Sequence, residues 1–275
     1  MARKLSVLIP CKNEARNLRP CVESVRALAD EIVVADSGST DGTIAIAREL
    51  GCRVLEREYV HSASFKNWAI PQCAHPWVLV VDADERVPTE LEREIRAVLA
   101  GEPAHDGYRI YRRNFLFGQE VRYSGWQTDD VLRLFRRDLC RYQDRRVHAD
   151  VVVDGGNVGW LGERLVHYTA WTVDEFLGKK VGRYTTWGAQ DLWDRGRRAG
   201  WTELTIRPLL RFLRHYVLRR GFLDGRVGWI LAVLSAFYVF VRFAKLWEME
   251  HGLRQPDPEA VRPGPTSGPS ATDRR

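Results

Sequence analysis

Short apolar runs alternate with amphipathic segments through the first part of the chain. The runs end at Ile9, Ala35, Leu55 and Val81, and each has the length and composition of a strand buried on both faces. In the segments between them, apolar residues recur at helical spacing. The repeated order of strand and helix over residues 5–100 predicts an α/β fold, with a doubly wound, mostly parallel sheet and helices on both faces.

The pattern changes after Gly107. Residues Tyr108–Arg112 and Val131–Arg136 alternate like half-exposed strands, and Val151–Val153 is a third candidate. We expect these strands to extend the sheet and to form the side on which an acceptor substrate would bind. From about Trp171 the chain is predicted to be helical.

The C-terminal helices contain a run from Val227 to Val241 that lacks charged residues, followed by Arg242 and Lys245. This run is shorter than the roughly 20 apolar residues that a membrane span requires. Arginine and aromatic residues around it favour a pair of helices lying in the membrane surface. The alternatives are packing on the catalytic domain, packing on a second subunit in a homodimer, and true spanning.

Three regions follow from these patterns. Residues 1–170 are predicted to form a catalytic domain, and residues 171–252 a helical, membrane-associating region. Residues 253–275 are rich in proline, glycine, serine and threonine and are predicted to be a disordered tail.

Charge and cysteine content narrow the function classes. The 275 residues carry a formal net charge of +6, which would suit nucleic acid, anionic lipid or a phosphorylated substrate. No nucleic-acid motif is recognisable and the basic residues gather towards the C-terminal half, so we expect no nucleic-acid partner. The five cysteines lack CxxC spacing, which argues against structural zinc and against a disulfide framework and suits a reducing cytosol.

Acidic residues stand where two of the predicted strands end. Asp36 follows the second strand, and Asp82 and Asp84 follow the apolar run Trp77–Val81. Ligands bind beyond the carboxyl ends of such strands. On an extended backbone Asp82 and Asp84 would point to one side with α-carbons about 7 Å apart, which suits a hard divalent cation that also binds phosphate oxygens. The alternative is a solvated acidic turn.

Three motifs occur in a fixed order: IPCKNE at residues 9–14, VVADSGSTDGT at 33–43 and VVDADE at 80–85. No glycine-rich dinucleotide or P-loop motif accompanies them. Over residues 4–100 the chain resembles the inverting glycosyltransferases of family 2, which have the GT-A fold. The segments RLFRR (133–137), RRVHAD (145–150), LVHYTAW (165–171) and residues 219–248 resemble, more narrowly, the lipopolysaccharide core β-1,4-glucosyltransferase group.

The family resemblance implies a binding site for a UDP-sugar. It assigns Pro10, Asn13, Glu14 and Asp36 to the nucleoside, and it places Lys66 where a cation could meet the diphosphate. Glu14 could instead serve as an acidic residue at a helix N-terminus, and Lys66 could simply be solvated.

The resemblance also implies a Mg²⁺ or Mn²⁺ site. Asp82 and Asp84 would hold the ion, with Asp82 contributing to donor binding as well, and the ion would offset charge on the departing diphosphate. His167 matches a region where related folds supply a third ligand, although a single histidine is more often structural.

Inverting transfer needs a base that deprotonates the acceptor hydroxyl. Relatives commonly have Val-His-Glu where this chain has Val147-His148-Ala149-Asp150. The two candidates for the base are Asp129, which we prefer, and Asp150, and His148 could orient either one. Both carboxylates could instead be plain surface groups, and Ala149 could mark altered acceptor choice or lost activity.

Together, these features predict an enzyme that moves a hexose, with UDP-glucose as the expected donor, to a lipid-linked saccharide such as the lipopolysaccharide core. We expect it to work as a peripheral protein on the cytoplasmic face of the bacterial inner membrane. The alternatives are transfer to polyprenyl phosphate or to a peptide, and a non-catalytic protein that binds nucleotide sugars.

Overall fold

A computed structural model describes residues 3–58, 61–143 and 150–252. Its strands are β1 (Leu5–Cys11), β2 (Glu31–Asp36), β3 (Arg53–Glu56), β4 (Trp77–Val80), β5 (Glu85–Arg86), β6 (Gly107–Leu116), β7 (Gln119–Val121), β8 (Asp130–Arg136), β9 (Cys140–Tyr142), β10 (Val151–Val153) and β11 (Val158–Ala170). Its α-helices are α1 (Ala15–Val25), α2 (Thr43–Glu49), α3 (Ser62–Ala69), α4 (Thr89–Ala100), α5 (Val173–Phe176), α6 (Thr185–Asp194), α7 (Arg207–Leu213) and α8 (Gly225–Glu250).

One sheet in the order β3-β2-β1-β4-β8-β6-β11-β5 forms the centre of the protein, with β7 paired to β6. The first four strands in that order are mutually parallel, as the sequence predicts. Strand β8 runs antiparallel to both β4 and β6, whereas β11 is parallel to β6. The sheet is therefore mixed, and the predicted α/β class with a doubly wound, parallel first half is confirmed.

Helices cover both faces of the parallel half. One apolar cluster packs α1 and α4 against one face and includes Leu18, Val22, Leu91 and Ile95. A second cluster covers the other face and includes Phe65 of α3. This two-sided burial explains why these strands read as unbroken apolar runs rather than as alternating ones.

One expectation for the later strands needs correction. Residues Val151–Val153 do form a strand, but it pairs with β9 in a separate two-stranded sheet and does not extend the main one. Val151 and Val153 face an apolar cluster that also contains Cys140. Strand β11 was not predicted, because the exposed residues 162–164 interrupt its alternation where the register with β6 shifts.

The sheet ends at Ala170, and helices follow through Glu250. Three of the described stretches have π-helical geometry: Leu177–Tyr184, Thr202–Ile206 and Arg214–Leu218. Apolar residues of the C-terminal helices share a cluster with Leu116 and Ala170 of the sheet, so these helices pack directly on its edge. The division into domains at residue 170 stays a prediction, and the predicted tail lies outside the described residues.

The segment Gly221–Glu250 is helical, and it is long and apolar enough to cross a membrane as judged by length and composition alone. One third (33%) of its most apolar window is buried in the protein. The five cysteines are all buried and free.

Candidate active site

The predicted site residues gather at the carboxyl edge of the parallel strands. Asp36 is the last residue of β2, and Asp82 follows β4. Both strands flank β1, on which Cys11 pairs with Asp36 and the carbonyl of Leu8 accepts a hydrogen bond from the N–H of Val81 (3.0 Å). The topology therefore brings both acidic motifs to one rim of the sheet, where ligands bind in open α/β folds.

Asp36 organises the loop after β2. It is fully buried, and its Oδ1 accepts hydrogen bonds from the N–H groups of Gly38 and Ser39, both at 2.8 Å. The hydroxyl of Ser39 donates to Oδ2. Asn13, at the end of β1, has φ +54° and accepts a hydrogen bond from the N–H of Thr40 (2.7 Å). The two predicted nucleoside loops are thus bonded to each other.

Glu14 is the residue that precedes α1. Its N–H donates to the hydroxyl of Thr43 (2.9 Å), and its carboxylate accepts from the amide of Asn17 (2.7 Å). Pro10 lies one residue before the end of β1 and is partly exposed. These two residues flank the same loop pair as Asn13 and Asp36.

Asp82 lies between two cations. Its Oδ1 accepts a hydrogen bond from Lys66 Nζ (3.0 Å), and its Oδ2 pairs with Arg133 Nη2. Burial alone would raise the pKa of Asp82, but the charges of Arg133 and Lys66 outweigh it and hold that pKa well below its usual range. Because both carboxylate oxygens already face cations, this geometry disfavours Asp82 as a metal ligand.

The buried ion pair between Glu85 and Arg133 holds Asp82 in this position. Glu85 is fully buried, and its Oε1 lies 2.7 Å from Arg133 Nη2 and 3.6 Å from Arg112 Nη1. Its Oε2 accepts a hydrogen bond from the N–H of Asp82 (2.9 Å). Glu85 therefore fixes both the backbone of Asp82 and the guanidinium that faces it.

Asp84 faces His167, with 3.9 Å between Oδ2 and Nε2. Strand β11 holds this histidine beside β5 and β6, and its Nδ1 lies 2.6 Å from Asn114 Oδ1. The amide nitrogen of Asn114 donates to Asp129 Oδ2 (3.0 Å), so its oxygen must be the atom that faces His167. His167 then carries a proton on Nδ1, and in the neutral ring the lone pair of Nε2 lies on the side of Asp84.

The acidic and histidine side chains at this rim offer two ligand positions for a divalent cation. Among residues 3–58, 61–143 and 150–252, no group of three or more histidine, cysteine or acidic side chains converges to hold a metal ion. The pair Asp84 and His167 does fit two positions of a shared ion, because ligand atoms around an octahedral Mg²⁺ lie roughly 3 to 4 Å apart. A diphosphate and water would supply the remaining ligands, and the Nδ1–Asn114 contact is the support that metal-binding histidines commonly have.

The two candidates for the base differ in their surroundings. Asp129 accepts two hydrogen bonds from Arg112, at 2.7 and 2.9 Å, and it connects through Asn114 to His167. The side chain of Asp150 is 57% exposed and lies 3.6 Å from Arg109. Asp129 therefore belongs to the same bonded network as Asp84, whereas Asp150 stands at its margin. His148 and Ala149 lie outside the described residues.

Four residues of this network escaped the sequence reasoning: Glu85, Arg112, Asn114 and Arg133. One signal was available for Arg133, which interrupts the apolar run Val131–Phe135. A charge within a buried strand requires a partner. The identity of that partner could not be read from spacing.

Comparison with known proteins identifies the class. Residues 6–155 match the family described as Glycosyl transferase family 2, and the chain belongs to this family. A relative from Rhizobium meliloti (strain 1021), described as the lipopolysaccharide core biosynthesis glycosyltransferase LpsC, is 32% identical over 91% of this chain and 94% of its own. An uncharacterised glycosyltransferase from Rickettsia felis is 30% identical over 89% of this chain and 90% of its own.

One solved structure matches nearly the whole chain. It is a mannosyltransferase, PcManGT from Pyrobaculum calidifontis, in complex with GDP-Man and Mn²⁺. Its TM-score is 0.52 at 15% identity, over 90% of this chain and 87% of that one, which shows a shared fold. The predicted family and the GT-A-type fold are thereby confirmed.

Proposed function

We propose that this glycosyltransferase moves glucose from UDP-glucose to a lipid-linked saccharide of the lipopolysaccharide core type, with inversion. The observation that carries the proposal is the facing pair Asp84 and His167 beside the charge-balanced Asp82, at the rim where the family binds its donor. The lipopolysaccharide role described for the Rhizobium relative, which matches over almost its full length, supports the acceptor class.

In this proposal Asp84 Oδ2 and His167 Nε2 hold a Mg²⁺ or Mn²⁺ ion. When bound, the ion would neutralise charge that develops on the departing nucleoside diphosphate. Asp82 has a different role, because Lys66 and Arg133 fix its carboxylate, whose remaining lone pairs can accept hydrogen bonds from the donor. The loops of Asn13, Glu14 and Asp36 hold the nucleoside.

Asp129 is the proposed base for the acceptor hydroxyl, with Asp150 as the alternative. Asp129 has a partly exposed side chain (28%) and is fixed by Arg112 and Asn114. It removes the proton as the hydroxyl oxygen attacks the anomeric carbon from the face opposite the departing diphosphate. Proton transfer to a positioned carboxylate avoids a charged alcohol in the transition state.

The proposed location is the cytoplasmic face of the inner membrane, with peripheral attachment through the C-terminal helices. These helices expose large apolar side chains, among them Leu210, Leu213, Trp229, Phe237 and Phe240. Such a surface, bordered by arginines, suits insertion into the interface of a bilayer that carries the acceptor. A homodimer through the same surface is the competing arrangement.

The test is incubation of the purified protein with a panel of UDP-sugars, Mn²⁺ and core lipid extract, read by mass spectrometry. We expect metal-dependent transfer by the wild type and a loss of at least about 100-fold in Asp84→Asn, since the metal ion would lose its carboxylate ligand. His167→Gln should weaken Mn²⁺ activation in the same direction. Asp138→Asn, at an exposed carboxylate outside the site, is the matched control and should retain activity.

Other outcomes would assign the alternatives. Unchanged turnover and metal response in Asp84→Asn would exclude the proposed metal pair. Transfer only to polyprenyl phosphate or only to a peptide would replace the acceptor, and donor binding without any turnover would favour a non-catalytic binding protein.

A further inference from the structure

Two arginines in the C-terminal helices have no anionic partner among the residues that the structure describes. Arg211 of α7 and Arg242 of α8 are both half-buried. The Nε atom of each is buried and has no hydrogen-bond partner, and neither side chain forms an ion pair with any residue in the described ranges. Buried polar atoms in folded proteins are normally bonded, so each such exception asks for an explanation.

Packing holds the guanidinium group of Arg242 in place. The ring of Phe243 lies 5.0 Å from Arg242 Cζ and 5.5 Å from Arg207 Cζ. Arg242 also crosses Gly188 of α6, where an added Cβ would come within 2.9 Å of its side chain. Arg242 is therefore held between α6 and α8.

The charges that lower the pKa of Arg211 belong to neighbouring arginines. Burial lowers the pKa of Arg211, and the neighbouring Arg214 and Arg242 lower that pKa further. From Leu204 to Lys245 the only acidic residue is Asp224. Both of its carboxylate oxygens accept backbone hydrogen bonds, from the N–H groups of Arg122 (2.9 Å) and Tyr123 (3.0 Å). An external anion would offset the repulsion among these cations.

An exposed apolar face adjoins the arginines. On α8 it consists of residues at helical spacing, and the helical residues 207–218 contribute a second set: Trp229, Ile230, Val233, Phe237 and Phe240 on α8, and Leu209, Leu210, Leu213 and Val217 before it. Apolar side chains next to arginines without partners match the boundary of a bilayer, where acyl chains meet phosphates. A protein surface would have to bring both apolar groups and buried carboxylates.

We propose that Arg211 and Arg242 form a binding site for the phosphate of a phospholipid headgroup. Guanidinium groups bind phosphate oxygens through charge-assisted hydrogen bonds, and the terminal nitrogens of both arginines, unlike their Nε atoms, are not among the buried atoms without a partner. The bound phosphate sets the depth and orientation of the apolar face in the membrane. This inference rests on the proposed membrane attachment but not on the proposed reaction.

The site is separate from the expected acceptor position. The loop that leads to Asp129 contacts the C-terminal helices before α8 begins, where the N–H of Ser124 donates to the carbonyl of Arg219 (3.0 Å). Arg242 lies about 25 Å farther along α8, at 1.5 Å per residue. A phosphate at Arg242 therefore anchors the protein and does not belong to the reacting sugar.

The test is co-sedimentation of the full chain with phosphatidylglycerol vesicles. The double variant Arg211→Gln/Arg242→Gln should bind these vesicles roughly 30-fold more weakly than wild type, from the contribution of two basic residues at an anionic surface. Arg48→Gln/Arg93→Gln removes the same charge from exposed positions of the catalytic domain and should change binding by less than about threefold. Arg211→Lys/Arg242→Lys should give an intermediate loss, since charge remains without the paired donors.

Further measurements separate the outcomes. The thermal unfolding midpoint of the glutamine double variant should equal or exceed that of wild type, because a repulsive pair has been removed; a large decrease would indicate a structural role instead. Equal vesicle binding by wild type and double variant would overturn the proposal. So would a loss confined to inorganic phosphate binding, which would leave the site to a soluble anion. Asp84→Asn should sediment like wild type, so failure of the proposed reaction remains distinguishable.

Discussion

The guanidinium of Arg133 is almost fully buried and faces two carboxylates, Asp82 and Glu85. The charges of these carboxylates raise the pKa of Arg133 despite the opposing effect of burial. Removing one member of such a group strands the others in a medium of low dielectric constant. Arg133 is therefore a positioning residue whose loss should affect both folding stability and donor binding.

Arg133→Met should lower the free energy of unfolding by about 3–5 kcal/mol, because the buried Glu85 would lose its nearer cation and keep only the longer ion pair with Arg112. Chemical denaturation followed by circular dichroism measures this change. Arg136→Met is the matched control on the same strand: its side chain is 54% exposed, and the cost should be below about 1 kcal/mol. A similar small cost for Arg133→Met would contradict the assigned role.

Substitution of the two candidate bases should have different effects on kcat, depending on which of them is the base. If Asp129 is the base, Asp129→Asn should reduce kcat by about 10²- to 10⁴-fold while the donor Kd changes little. Asp150→Asn should then cost less than about tenfold. Steady-state kinetics with a titrated acceptor, together with calorimetric donor binding, decide between them. The reverse pattern would transfer the role to Asp150, next to the position where relatives carry glutamate.

At the scale of elements, the start of α8 packs closely against the backbone of the turn that precedes it. A Cβ on Gly228 would overlap the carbonyl oxygen of Gly221, in the turn before the helix. Gly228 is buried, and Val227 beside it belongs to the cluster that connects α8 with the sheet. No side chain fits there without displacing the start of the helix.

Gly228→Ala should therefore lower the free energy of unfolding by about 1–3 kcal/mol despite the better helix propensity of alanine. Gly178→Ala, in a helical turn where an added Cβ meets nothing within 4 Å, should be neutral or stabilising. Denaturation midpoints of the two variants measure the difference. Equal midpoints would show that the contact at Gly228 relaxes without cost.

At the scale of the whole molecule, binding of the donor and the metal ion should increase the free energy of unfolding. The site joins loops after β1, β2 and β4 with residues of β6 and β11, so a bound donor would link distant parts of the chain. A ligand that binds only the folded state stabilises it by mass action.

Mn²⁺ together with UDP, at about 100 times their Kd, should stabilise the wild type by about 2.7 kcal/mol. The unfolding midpoint should rise by roughly 5–10 °C. Asp84→Asn and His167→Gln should lose the part of this shift that depends on Mn²⁺, and differential scanning fluorimetry measures it. A shift in Asp84→Asn as large as in wild type would argue against metal binding by this pair.

The sequence by itself determined the parallel half of the sheet, the covering helices and the rim on which the acidic motifs stand. These features follow from local periodicity and from chain order, because the residue that ends a buried strand must lie at the sheet's edge. For the same reason the sequence alone predicts that Asp36, Asp82 and Asp84 lie close together at that edge. The family could also be predicted from three ordered motifs.

Only the tertiary structure decided which partner each charge has. Arg133 reaches Asp82 across 51 residues of sequence, and His167 reaches Asn114 across 53. It also placed Val151–Val153 in a separate small sheet and left the Nε atoms of Arg211 and Arg242 without a hydrogen-bond partner in the part of the chain that it describes. Such contacts depend on strand order, register and helix packing, which residue spacing along the chain does not specify.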